Sequence, residues 1–346
     1  MKSFWRNKKV LITGHTGFKG SWLSLILSQI GSEVHGIALK EKKKSFFNTM
    51  NIRKILKTNN YCDINDFNKL KKLTQKINPQ IIFHLAAQPL VIESYNNPLK
   101  TVQTNIVGTA NLLKSLLFLK GSKTIIVVTS DKCYDTEKEK SFIETDKLGG
   151  NDIYSASKAC TEIISSAFRE TFFKDKKIKL ATVRSGNVIG GGDFSKDRLI
   201  PDLIRAYLSN KHCLIRNKES IRPWQHVLDP INGYLKLAEK THLSKNNLYQ
   251  SGWNFSPNWK SYKVKDLVKE VKKIIPVKIK YIKSKNKVKE TKNLKLNSFK
   301  SRKHLKWKEK INFKNSIKFS IEWYINQDKK NKILLITQNQ INRILK

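Results

Sequence analysis

Short apolar runs alternate with longer periodic segments along the first half of the chain. Lys9–Thr13 is apolar and bounded by glycine, the pattern of a buried strand, and Ser21–Gln29 after it reads as a helix. Val34–Leu39, Ile81–Leu85 (behind Pro79), Ile125–Thr129 and Leu180–Arg184 are further short apolar runs of the kind buried on both faces of a parallel sheet. Between them, Asp66–Lys76, Pro98–Leu119 and Tyr154–Phe173 read as helices, the second with Val102, Ile106, Leu112, Leu113 and Leu116 on its apolar stripe. Lys40–Asn60 is basic and poorly patterned, and reads as surface loop with some helix. Strands alternating with helices predict an α/β fold with a Rossmann-type doubly wound parallel sheet and right-handed crossovers. The second half is less regular. It has a glycine-rich loop at Asn187–Asp193, a helix starting near Pro201, a helix at Lys265–Ile274, a strand at Lys278–Ile282 and a helix at Ile317–Asn326. The tail Lys332–Lys346 is amphipathic, with no evident packing partner.

Composition narrows the class. The 346 residues are 39% hydrophobic, enough for a packed core, yet no run of eighteen apolar residues occurs, so no membrane partner is expected. The N-terminus leads directly into a strand without a cleavable apolar region, which predicts a cytoplasmic protein. Cys62, Cys133, Cys160 and Cys213 are scattered, matching neither a zinc pattern nor a disulfide framework, and no metal is expected. The net charge of +41 has two readings: an anionic partner, or drift toward Lys, Asn and Ile in an AT-rich coding sequence. Lysine is spread along the chain, densest in the last third, and no RNA-binding motif accompanies it, so nucleic acid is not the expected partner.

The chemistry sits in three motifs. In TGHTGFKG, Gly14, Gly17 and Gly20 follow a strand and open a helix, where glycine lets the backbone approach a pyrophosphate and the helix amides face the anion. Tyr154 and Lys158 form a Y-x-x-x-K step that places both side chains on one helical face. The lysine charge, together with an oxidised nicotinamide, favours tyrosinate, which can take a hydroxyl proton while hydride leaves the same carbon. Thr129–Tyr134 (TSDKCY) ends a buried strand and sets an acid, Asp131, and an amine, Lys132, directly after Ser130.

These motifs resemble the extended short-chain dehydrogenase/reductase superfamily. The resemblance implies NAD as cofactor. It places Phe18 and the three glycines at the cofactor, Asp63 at the adenine (or as a helix cap), and Leu85, Ala86 and Ala87 beside the adenosine ribose. The acid that normally ends the second strand is missing: the run VHGIALK ends in Lys40, so the choice of NAD rests on the resemblance. Ser130 takes the place of the hydroxyl that bonds the sugar O4. Dehydratases add an acid–base pair after that hydroxyl, which points to Asp131 as the acid and Lys132 as the base.

The segments GHTGFKGSWLS (14–24), HLAAQPLV (84–91), SDKCY (130–134), GGNDIYSASKAC (149–160), GNVIGGGDFSKDRLIPD (186–202) and RPWQHVLDPINGYLKLAE (222–239) are similar to the CDP-glucose 4,6-dehydratase family. His15, Lys19 and Lys132 separate the chain from dTDP-glucose and GDP-mannose dehydratases, whose usual pattern in the first case has Asp-Glu in place of Asp131-Lys132. The resemblance implies water elimination from CDP-glucose, a homodimer, and substrate contacts from Asn187, Arg198 and Arg222, although either arginine also suits a surface ion pair. His226 reads as structural. It further implies a dinucleotide-binding domain over 1–185 with a returning segment near 226–255, and a smaller mixed α/β domain for the nucleotide sugar over 186–225 and 256–346. One departure is Ile92-Glu93, where the family usually continues with arginine. The rival readings are another nucleotide-sugar dehydratase or 4-epimerase and, remotely, a basic nucleic-acid-binding protein.

Overall fold

The apolar runs become the middle of a seven-stranded parallel sheet. The computed structural model describes residues 2–137, 140–258, 261–282 and 294–345. Strands β1 (Lys9–Thr13), β2 (Glu33–Ala38), β3 (Thr58–Tyr61), β4 (Ile81–His84), β5 (Lys123–Val128), β6 (Ile178–Ser185) and β7 (Gly252–Phe255) pair in the order β7-β6-β5-β4-β1-β2-β3. Every residue of β4 and β5 is buried, as helices cover both faces. The chain direction across the sheet reverses beside β1 and β4, which pair Thr13 with His84. In such sheets this reversal opens a crevice beyond the carboxyl ends of the strands. The doubly wound parallel sheet expected from the pattern is therefore present.

Three elements differ from the pattern reading. The stretch 40–60 contains β3, whose residues Thr-Asn-Asn-Tyr are half-buried at the sheet edge. An edge strand can satisfy its outer side with solvent, so it carries no apolar signature. The helix expected over Pro98–Leu119 runs as Pro98–Val102, a π-helical turn at Gln103–Val107, and α3 (Gly108–Leu116), taking α1 as Phe18–Gln29 and α2 as Phe67–Ile77. Within that turn the Asn105 carbonyl accepts from the hydroxyls of Thr109 (2.7 Å) and Thr161 (3.0 Å), which compete with the helical ladder. The helix expected over Tyr154–Phe173 is α4 (Ile153–Phe168) followed by a second π-helical turn, Arg169–Phe173.

The chain leaves the sheet at Ser185 and re-enters it at β7, after helix α5 (Leu228–Leu243) has packed against β5 and β6. The tail forms helix α7 (Lys330–Leu345), which packs on α5 and on α6 (Phe313–Ile325), the partners that the sequence did not reveal. Phe46 lies 4.3 Å from Trp22 of α1 and 5.5 Å from Trp323 of α6, ring centre to ring centre. Thr337 of α7 accepts from Trp323 Nε1 at 3.1 Å. The tail therefore seals the outer side of the glycine-turn helix; Lys346 lies outside the described residues. Among the described residues, no helix is long and apolar enough to cross a membrane.

Asp229, fully buried near the start of α5, holds the 307–310 loop. Its Oδ1 accepts from the Lys310 amide at 2.7 Å, and its carbonyl accepts from Trp307 Nε1 at 3.0 Å. Burial pushes its carboxyl up to about 7. An unfolded aspartate releases its proton near pH 4. Between about pH 4 and 7 unfolding thus releases a proton, so this group makes stability fall as pH climbs through that window. Asp229→Asn keeps the shape without the charge. The variant is expected to melt above the parent at pH 8, by a difference worth up to about 4 kcal/mol, and the gap should narrow toward pH 5 in thermal denaturation.

Candidate active site

The glycine turn joins β1 to α1 under steric compulsion. Gly14 has φ +75°, and a Cβ there would stand 2.7 Å from the Ala86 amide nitrogen. A Cβ on Gly20 would stand 2.2 Å from the Gly14 carbonyl oxygen. These two glycines let the turn wind against Leu85–Ala86 at the end of β4. Gly17 is different: it is exposed, and a Cβ there would meet only the Gly14 oxygen, at 3.2 Å. It also starts α1 without a side-chain cap and with no acid in the first turn. The uncapped amides of that turn and the bare backbone at Gly17 fit a dinucleotide pyrophosphate. Phe18 packs its ring toward Gly190, in the glycine-rich loop after β6.

The reacting groups expected from the sequence converge beyond the ends of β5 and β6. Asp152 caps α4, accepting from the Ser155 amide (2.9 Å) and hydroxyl (2.6 Å), which fixes Tyr154 in the first turn and Lys158 one turn later. Tyr154 and Lys158 are both buried. Ser130 caps the single turn Asp131–Cys133: its Oγ accepts from the Lys132 amide at 3.2 Å and donates to Asp131 Oδ1 at 2.9 Å. Gly186 passes so close that a Cβ there would stand 3.2 Å from Asp131 Oδ2. Lys132 is half-buried.

Electrostatics tie these groups to one another. Burial pushes the Asp131 carboxyl up, against the pull of Lys132, Ser130, Arg222 and Lys19. Burial pushes the Tyr154 phenol up as well, opposed by the hydrogen bond it shares with Ser130 and by Arg198. The lowered phenol expected from the sequence is that of the complex with oxidised nicotinamide, whereas these shifts belong to the side chains alone. Desolvation outweighs the attraction here, because Lys158 is itself enclosed and its ammonium is brought down to about 8 by burial, with Glu162 acting in the other direction. Arg198 donates to the Pro89 carbonyl at 3.1 Å, and Arg222 to that of Ile221 at 2.9 Å, so both guanidiniums are held at the rim. Asn187 precedes both in the chain, its carbonyl accepting from the Gln225 amide at 3.0 Å.

Asp63 stands apart. It is exposed beyond β3, and its Oδ1 accepts from the Asn65 amide at 2.9 Å, a local turn. The cap of α2 is Asp66. His226 is fully buried and held neutral, its pKa lowered by burial to about 3, among Trp22 and Phe319.

Three residues of the site escaped sequence reasoning. Lys19 donates to Ser185 Oγ at 3.1 Å and lies within electrostatic reach of Arg198, Asp131 and Lys158; burial, then Arg198, brings its ammonium down to about 8. Glu41, just past β2, accepts from the Tyr61 hydroxyl at 2.6 Å and has a largely buried side chain. The run VHGIALK, read to Lys40, stops one position short of it. His84 bridges Thr13 Oγ1 (2.7 Å) and Thr109 Oγ1 (2.9 Å) behind the glycine turn, kept neutral by burial at a pKa of about 3.

Sheet order, glycine turn and a buried Tyr-Lys pair on one helix define the extended short-chain dehydrogenase/reductase class, in its nucleotide-sugar dehydratase and epimerase branch. Within it, residues 11–319 match the model of the GDP-mannose 4,6 dehydratase family, and the chain belongs to that family. A CDP-glucose 4,6-dehydratase of Salmonella typhimurium is 45% identical over 263 residues, covering 74% of this chain and 73% of that one. The human dTDP-D-glucose 4,6-dehydratase is 27% identical, covering 92% and 90%. The fold is shared with the dTDP-glucose 4,6-dehydratase of Bacillus anthracis solved in complex with NAD, at a TM-score of 0.75 and 20% identity over 92% of this chain and 97% of that one.

Proposed function

We propose that the protein is an NAD-dependent CDP-glucose 4,6-dehydratase, converting CDP-D-glucose to CDP-4-dehydro-6-deoxy-D-glucose with loss of water. The observation that carries this reading is Asp131: a buried carboxyl, pushed toward its protonated form, one residue from the Ser130 hydroxyl that bonds Tyr154. An epimerase has no use for such an acid. A dehydratase needs one to protonate a departing hydroxyl. The 45% identity to the Salmonella enzyme supports the cytidine nucleotide over its rivals.

A bound NAD supplies reversible hydride storage, so the sugar is oxidised at carbon 4 and later reduced at carbon 6. Around it the side chains move protons. Ser130 Oγ orients the sugar O4, and Tyr154 Oη takes its proton, with the Lys158 ammonium stabilising the phenolate. The carbon-4 ketone acidifies the carbon-5 hydrogen, which Lys132 Nζ removes as a proton and gives back to carbon 5 when carbon 6 is reduced. Asp131 protonates O6 as it leaves as water. Phe18 and the glycines 14, 17 and 20 seat the cofactor pyrophosphate, with Leu85, Ala86 and Ala87 at the ribose and Asp63 toward the adenine. Asn187, Arg198 and Arg222 receive the substrate diphosphate, which guanidinium forks suit. In this division residues 1–185, with the segment returning near 226–255, hold the dinucleotide. Residues 186–225 and 256–346 hold the nucleotide sugar.

The product suits 3,6-dideoxyhexoses of bacterial surface polysaccharide, made in the cytoplasm. A homodimer through the helices of 98–116 and 153–173 is supported by Leu99, Val107, Ile163 and Phe172, exposed apolar residues on those segments. The test of substrate is incubation with CDP-, dTDP-, UDP- and GDP-linked hexoses, followed by mass spectrometry. A product lighter than the substrate by one water is expected for CDP-glucose. Dehydration of dTDP-glucose alone would remove the cytidine assignment.

A further inference from the structure

We infer that the buried ion pair Glu162–Arg184 is a positioning pair for the reacting groups, an inference that rests on the dehydratase reading. Tyr154, Lys158 and Glu162 succeed one another at four-residue steps on α4, so the three side chains lie along one helical face. Both members of the pair are buried. Arg184 donates to Glu162 through Nε (2.9 Å) and Nη2 (2.8 Å), a two-pronged bond. The remaining lone pairs of the carboxylate are taken by Thr129 Oγ1 and Thr182 Oγ1, each at 2.5 Å. Thr129 immediately precedes Ser130. From its other side Arg184 donates through Nη1 to the Tyr134 hydroxyl at 2.6 Å, and Tyr134 donates in turn to Asn254 Oδ1 of β7 at 2.8 Å. The pair therefore grips both ends of the turn that carries Asp131 and Lys132, and locks it to the helix that carries Tyr154 and Lys158. Neither partner occupies the floor where the sugar would lie. Their role is exerted through the residues they hold.

The pair also sets the charge around Lys158. The groups that act on that ammonium are Glu162 on its own helix, Cys133 from the turn, His84 from β4 and Lys19 from α1, with Tyr154 one turn before it and Arg184 behind Glu162. Glu162 is the one carboxylate among them. It keeps its negative charge in spite of burial because Arg184 and the threonine hydroxyls favour it. Removing that charge alone leaves Lys158 facing Arg184 and makes its ammonium easier to deprotonate.

The test compares three forms of the full-length protein with CDP-glucose: the parent, Glu162→Gln, and the double variant Glu162→Met/Arg184→Met. Replacing a buried pair by apolar residues of similar volume commonly leaves the fold stable, so the double variant should melt close to the parent. Its kcat is expected to fall about 10-fold or more with KM little changed, as for reacting groups displaced by a fraction of their contact distance. In Glu162→Gln the alkaline limb of the carbon-4 oxidation rate, read in a single turnover, should move down by about one pH unit, since Lys158 loses its proton sooner. In the double variant, with both charges gone, the limb should return toward the parent's. A folded double variant with parental kcat overturns the positioning role, and an unmoved limb in Glu162→Gln overturns the electrostatic one. If Glu162→Gln does not fold, the double variant still decides the first. A parent that does not dehydrate CDP-glucose overturns the dehydratase reading itself, which an active parent beside an equally active double variant does not.

Discussion

Tyr154→Phe is expected to lower the turnover of CDP-glucose by about 1,000-fold or more, within the range that a positioned acid–base group contributes. The ring stays and only the phenolic oxygen goes. Phenylalanine fills the same buried space beside Ser130, so the fold should lose about 1 kcal/mol, the worth of one hydrogen bond. Substrate affinity should hold within a few-fold, because the diphosphate contacts assigned to Arg198 and Arg222 lie at the rim. Calorimetric titration with CDP-glucose and a product assay on the same preparation separate the two effects. A variant that keeps a tenth of the parental kcat would remove the phenol from the chemistry. A substrate carrying deuterium at carbon 4 adds a second readout: with the proton acceptor gone, cleavage of that bond should limit the residual rate, and its isotope effect should rise.

How much of this was legible in the sequence follows from what each element is made of. Strands β1, β4 and β5 are buried on both faces, so their apolar runs could be seen without any partner. Of β3 only the end was legible, as a strand in YCDI (61–64) ending at Asp63; Thr58–Asn60 owe their extended form to pairing with β2 (His35 with Thr58, Ala38 with Tyr61), a tertiary cause with no local trace. Tyr154, Lys158, Ser130 and Asp131 were visible because their chemistry demands fixed spacings along one helix and one strand end. Lys19 was visible only as a residue of the glycine turn. What makes it part of the site is the approach of Ser185, 166 positions away. Glu162 and Arg184 were hidden for the same reason. Each sits in an apolar element where the pattern leads one to expect an outward charge, and only the packing of α4 across the ends of β5 and β6 turns them toward each other. For the Tyr154 phenol the neighbours could be named from the sequence, whereas the cost of enclosing them together is set by the fold.

Asp131→Asn should separate the two halves of the reaction. The amide can keep the contact with Ser130 but cannot give up a proton to O6. Oxidation at carbon 4 depends on Tyr154 and should persist, while overall dehydration slows by about 100-fold or more. The pH dependence has a definite sign. The acid must hold its proton to act, and burial raises the carboxyl from its ordinary range, so the parent should lose elimination activity as pH rises through that raised value. The Asn variant should lack this limb. A leaving group that departs without protonation gives the sharper test. CDP-6-deoxy-6-fluoro-D-glucose expels fluoride, a far weaker base than hydroxide, and needs little help from an acid. The variant should therefore process the fluoro sugar within a few-fold of the parent while failing on CDP-glucose. Equal impairment on both substrates would mean that Asp131 shapes the pocket rather than delivers the proton, and the acid would have to be sought among the other groups that face O6, with Lys19 the first to replace.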